Sequence, residues 1–196
     1  MSHIAPIAPS QLYHFRALPG NYICFKYKRM KYPLFVLLLC LSIGATAQQG
    51  PKEPAFRRFP KVPALQLLLS DSSTKYTKED LPKKKPVLLM IFSPECDHCQ
   101  HETEKLVANK EALKEVQIVM ATTYPIYQMK EFAEKYGLTT MENVVVGRDT
   151  YYLLPSFYEM HNLPYLALYD KKGNLIYTFE GSVGIDKVIA AFSEAK

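Results

Sequence analysis

Two cysteines three positions apart, Cys96 and Cys99, stand where an apolar run gives way to an amphipathic one. The run Val87-Leu88-Leu89-Met90-Ile91-Phe92 is long enough for one buried strand. Ser93-Pro94-Glu95 breaks it, and Cys96-Asp97-His98-Cys99 opens the segment that follows. This order delivers both sulfurs to the first turn of a helix. There, free N–H groups and the positive end of the helix dipole favour a thiolate over a thiol. Cysteines so spaced on one helical turn close into a disulfide with little backbone motion. The chemistry implied is thiol–disulfide exchange: Cys96, the more exposed, attacks, and Cys99 resolves the mixed disulfide. Three neighbours modulate it. A protonated His98 would stabilise the Cys96 thiolate and make the pair more oxidising; Asp97 would repel the anion; Glu95 flanks it. These oppose one another, so the motif alone does not sign the redox potential. Zinc is the competing use of Cys96, Cys99 and His101, but four ligands are wanted and no second cysteine pair exists, so neither metal nor other cofactor is expected. His101 and His161 read as surface residues.

Charge excludes nucleic acid as a partner. The 196 residues carry a net charge of +5. Residues 1–47 hold Arg16, Lys26, Lys28, Arg29 and Lys31 and no acid, which accounts for all five; residues 48–196 balance at 19 basic and 19 acidic. The basicity belongs to a tail that reads as a secretory signal: a basic flank, the apolar run Leu34 to Leu41, and the small-residue site Ala45-Thr46-Ala47. The run is short of the roughly 20 residues a membrane span needs, so membrane contact is expected only if residues 30–47 stay uncleaved. Met30 stands where such a signal would begin, and residues 1–29 read as an unstructured upstream extension. Cleavage after Ala47 would discard Cys24 and Cys40. The remaining two cysteines would be too few for a structural disulfide framework in an oxidising compartment, which leaves a redox pair.

The elements that must hold the pair follow in order. Residues 48–63, with four prolines, read as an extended linker, and 64–196 as the domain. Ala64 to Leu69 and Thr74 to Thr77 read as strands about a turn at Asp71-Ser72-Ser73, and Lys78 to Lys85 as a solvated loop. A helix is predicted from about Asp97 to Leu113, a buried strand over Val116 to Ala121, and a helix over Tyr127 to Tyr136 stopped by Gly137. A short strand, Asn143 to Val146, follows. Tyr151 to Met160 reads as helix that Pro155 restricts to two short pieces, with Tyr151, Tyr152, Phe157 and Tyr158 as a packing face. Tyr165 to Tyr169 and Leu175 to Phe179 form a hairpin about Asp170-Lys171-Lys172-Gly173, and Gly184 to Phe192 closes as a helix. Helices alternating with strands, then a hairpin, predict an α/β fold with a mixed central sheet flanked by helices on both faces.

From Ala64 to the C-terminus this pattern resembles the thioredoxin superfamily. The resemblance rests on Cys96-Asp97-His98-Cys99 between strand and helix, on Leu163-Pro164 opening the strand Tyr165 to Tyr169, and on Gly181 before the last helix. Between Cys96 and Pro164 lie more strand and helix than plain thioredoxin places there. An αβ insertion before the cis-proline strand, behind a signal peptide, is similar to the exported TlpA-like thiol–disulfide oxidoreductases. The resemblance implies a cis Leu163–Pro164 bond facing the cysteines. Pro164 then shapes the groove and keeps metal off the sulfurs, and Leu163 offers backbone groups to a substrate chain. It also implies exported, in bacteria periplasmic, protein substrates with thiols or disulfides, and a recycling partner.

Two departures from that pattern matter. Glu95 replaces the tryptophan usual before the first cysteine. Met90 stands six residues before it, where thioredoxin keeps a buried acid, leaving Glu95 or a water to accept the Cys99 proton. Two other readings remain: a thioredoxin-fold binding module with a static disulfide, and a peroxiredoxin-like thiol peroxidase. The latter wants Thr three residues before its cysteine, where Ser93 stands.

Overall fold

The computed structural model describes residues 53–195. The expected signal segment and upstream extension lie outside them. The elements are α1 (Ala55–Arg58), β1 (Gln66–Leu68), β2 (Lys75–Thr77), β3 (Val87–Ile91), α2 (Asp97–Ala108), β4 (Gln117–Thr122), α3 (Ile126–Lys135), β5 (Val144–Asp149), α4 (Leu153–Tyr158), β6 (Tyr165–Tyr169), β7 (Leu175–Glu180) and α5 (Ile185–Glu194). All seven strands form one sheet in the order β2-β1-β5-β4-β3-β6-β7. β3 lies parallel to β4 and antiparallel to β6, and β4 is parallel to β5. The sheet is therefore mixed, and the αβ insertion before β6 is present as α3, β5 and α4.

Two right-handed crossovers stepping the same way along a sheet place their helices on one face. Accordingly Leu106 of α2 and Phe132 of α3 pack with Leu88, Met90, Ile118 and Met120, and α5 joins them through Val188 and Phe192. The alternate residues Val87, Leu89, Ile91, Val119, Ala121, Ala167 and Tyr169 face the other way, against Leu154 and Tyr158 of α4 and Leu65 and Leu67. Period-2 alternation thus feeds two cores, and β3, whose five residues are all buried, is the wall between them.

Residues 53–63 are not an extended linker. Pro54 caps α1, a position where a missing N–H is harmless. Phe56 packs on Tyr158 with ring centroids 5.9 Å apart. Val62 is buried and its N–H donates to Gly173 O at 3.0 Å. The prolines fix an extended path, but Phe56 and Val62 give it apolar groups to bury on the second core. Three bounds also move. α2 stops at Ala108, with Asn109 as its cap, rather than at Leu113. Pro155 sits in the first turn of α4, so one helix forms instead of two pieces. Lys78–Asp80 winds into a single 3₁₀ turn. The aromatic face of α4 divides: Tyr158 is buried, whereas Tyr151 and Tyr152 are exposed.

Candidate functional site

Cys96 is the N-cap of α2, and its Sγ accepts the N–H of Cys99 at 3.3 Å. A sulfur in the capping position faces the unpaired N–H groups of the first turn, which bond a thiolate better than a thiol. Cys96 is partly exposed, while Cys99, one turn further, is fully buried. Both are free thiols. Burial pushes the Cys99 thiol well above its ordinary value, and the sulfur of Cys96 and the charge of Glu102 add to the effect. The two sulfurs therefore differ: one is partly exposed, the other buried, with its thiol form favoured by burial.

The loop before the cysteines is braced on both sides. Ser93 Oγ accepts the Glu95 N–H at 3.2 Å. Gln100 Nε2 donates to Pro94 O at 2.9 Å, and Tyr136 at the end of α3 donates to Gln100 Oε1 at 3.1 Å. Beneath them Phe92, Phe132 and Tyr136 stack in series with centroids 4.6 Å apart. The Leu163–Pro164 bond is cis, and the Leu163 carbonyl oxygen lies 4.0 Å from Cys96 Sγ. Leu163 and Pro164 thus come to the cysteines from 67 residues away. Asp97 and His98 are exposed beside Cys96. Glu95 is exposed too, its carboxylate accepting from Gln128 Nε2 at 3.1 Å and, more loosely, from the Tyr124 hydroxyl at 3.5 Å. The Gln128 contact ties Glu95 to α3. His101 pairs with Glu104 on the surface, and His161 is likewise exposed.

One residue of the site escaped the sequence reading. Glu102, one turn beyond Cys99 on α2, is fully buried. Its Oε2 accepts from Ser182 Oγ at 2.9 Å and from the Val183 N–H at 3.2 Å, and the Lys105 ammonium lies 3.5 Å away. Its Oε1 is buried without a hydrogen-bond partner. The carboxylate thus has one oxygen doubly hydrogen-bonded and the other without a partner, one helical turn from Cys99. It stands near the thiol whose ionisation it opposes by charge. Met90, where thioredoxin's acid would stand, is simply core.

The comparisons agree with this geometry. The sequence model described as the AhpC/TSA family matches residues 60–183, more than half of the chain. No curated protein matches it. Among solved structures, it is similar to a secreted disulfide oxidoreductase of Mycobacterium tuberculosis homologous to Escherichia coli DsbE. That likeness is 20% identity over 67% of this chain and 94% of the other, with TM-score 0.55. It is also similar to the exposed lipoprotein thioredoxin Etrx1 of Streptococcus pneumoniae (22%, 67% and 99%, TM-score 0.52). Peroxidoxin BcpB of Mycobacterium tuberculosis gives 14%, 69% and 96%, TM-score 0.59. The chain belongs to the AhpC/TSA family and carries the thioredoxin fold of thiol–disulfide oxidoreductases.

Proposed function

We propose that the protein is an exported thiol–disulfide oxidoreductase that exchanges disulfides with protein substrates through Cys96 and Cys99. The observation that carries this is the asymmetry of the pair: Cys96 Sγ capping a helix and partly exposed, Cys99 fully buried beside a buried carboxylate. In the reducing direction, the Cys96 thiolate attacks a substrate disulfide. The substrate S–S bond breaks, a Cys96–substrate disulfide forms, and the first substrate sulfur leaves as thiolate. Cys99 then gives its proton to Glu102 and attacks the Cys96 sulfur. The Cys96–Cys99 disulfide forms and the second substrate thiol is released. Two electrons pass to the substrate, and an external dithiol must restore the pair. Run backwards, the same steps oxidise a substrate dithiol. The Leu163 carbonyl beside Cys96 gives an extended substrate chain a backbone partner.

Export is supported by the basic, apolar and A-x-A order of the tail, and by likeness to a secreted oxidoreductase and an exposed lipoprotein. A thiol peroxidase is the second reading, favoured by the likeness to peroxidoxin BcpB. Insulin reduction with dithiothreitol as donor, with Cys96→Ser as control and hydrogen peroxide consumption run in parallel, tests both. Cysteine-dependent insulin turnover is expected. Peroxide consumption without insulin turnover would install the second reading, and inertness toward both would leave a static binding module.

A further inference from the structure

The short segment from the last residue of β7 toward α5, Glu180-Gly181-Ser182-Val183, touches both halves of the site. At its start, Glu180 Oε1 accepts the N–H groups of His161 and, at 2.6 Å, of Asn162, the two residues before Leu163. The Gly181 N–H donates to Pro164 O at 2.9 Å. Gly181 has φ +83°, which a side chain would strain, and the chain turns there from the Leu163 loop toward α2. Ser182 Oγ and the Val183 N–H then both donate to Glu102 Oε2. This fixes one oxygen of the carboxylate and leaves Oε1 as the open one.

We infer that Glu180 and Ser182 are separate positioning residues on one brace, Ser182 holding Glu102 for the resolving step and Glu180 holding the loop on which a protein substrate lies. The inference rests on the redox reading above. Its content is that the two side chains control different steps. Ser182→Ala removes one of the two hydrogen bonds that hold the carboxylate in place, so its alignment for proton transfer from Cys99 is lost and release of the mixed disulfide slows with every substrate. Glu180→Ala frees the His161 and Asn162 amides to bond water. That costs the loop its order, while Glu180 itself belongs to the substrate side of the site and not to the Glu102 side.

The test uses the full chain carrying Cys24→Ser and Cys40→Ser, so that only Cys96 and Cys99 report. The substrates are insulin and the small neutral hydroxyethyl disulfide. Ser182→Ala should prolong the Cys96 mixed disulfide about tenfold with both, the scale of one hydrogen bond to a charged group. Ser182→Thr should restore the parent lifetime. Glu180→Ala should raise KM for insulin about tenfold, a larger change than it makes in kcat or with hydroxyethyl disulfide, with Glu180→Gln restoring insulin. In the parent chain, the His161 and Asn162 amides should resist hydrogen exchange although both residues are exposed; free exchange would overturn the Glu180 role without any variant. Alanine variants matching a reactive parent, or slowing the same step alike, would overturn the brace alone. A parent inert to both disulfides would overturn the redox reading and the brace with it.

Discussion

Glu102→Gln separates proton transfer from structure at the resolving cysteine. At the ordinary thiol value of 9.0, only about one Cys99 in a hundred would be ionised at pH 7. Burial and the adjacent charge raise that value, so the ionised fraction is smaller still. Resolution therefore depends on a base that takes the proton as the sulfur attacks, an effect worth about 10² to 10⁴ in rate. Glutamine keeps an oxygen for Ser182 and Val183 but cannot take the proton. It also removes a charge that opposes Cys99 ionisation, a lesser effect in the other direction. The mixed disulfide on Cys96 should therefore live about a hundredfold longer, while the rate of its formation stays as it was. Stability should fall by about 1–3 kcal/mol, because the amide buries donors where Oε1 has no partner and Lys105 loses its counter-charge. Acid-quenched samples resolved by mass after mixing with a small disulfide give the lifetime, and urea denaturation gives the stability. A variant that resolves as fast as the parent would refute Glu102 as the acceptor and send the proton to solvent.

The reduced protein should lose stability in alkali. Cys99, Tyr158 and Tyr169 all have folded values raised chiefly by burial. Their contribution is whole below the ordinary values of 9.0 and 10.0 and is lost as pH climbs from there toward the folded values, at most about 1.4 kcal/mol per pH unit for each group. The oxidised protein lacks the Cys99 share, so denaturation of the two forms should diverge above pH 9.0; equal loss would contradict the burial argument. Gly147→Ala should destabilise by about 1–3 kcal/mol in urea, because its methyl would meet Leu67 Cβ at 2.6 Å beside the β1–β5 pairing; an unchanged midpoint would show that β1 moves freely. Glu95→Gln should raise the rate toward the anionic disulfide of thioglycolate, and lower that toward cationic cystamine, a few-fold each at low salt. Effects that persist at about 1 M salt would rule out charge as the cause.

The redox pair was legible because its signals are local: an apolar hexamer, a break, two cysteines and an amphipathic run. Leu163-Pro164 was legible only through resemblance, since nothing near it in the chain points to residues 67 positions away. Glu102 was missed for a reason in its composition. It sits in a Glu-Thr-Glu-Lys stretch that reads as solvated, yet Cys99, Glu102 and Leu106 fall at i, i+3 and i+7, one helix face. A lone acid on an apolar stripe was the available signal. The proline-rich segment was misread because its partners, Tyr158 and Gly173, lie more than 100 residues away. Tyr151 and Tyr152 were misread because Tyr152, with φ 55°, takes the left-handed conformation that starts α4 and leaves both rings in solvent.

The central claim is that Cys96 and Cys99 form one two-electron couple with Cys96 on the substrate side. Equilibration of the full chain against glutathione buffers, followed by acid quench and mass mapping of the Cys96–Cys99 peptide, addresses it directly. The account predicts a single transition between the dithiol and an intramolecular disulfide, and in Cys99→Ser a glutathione adduct confined to Cys96. A pair that stays reduced across all buffers, or an adduct on Cys99 in Cys96→Ser as readily as on Cys96, would contradict it.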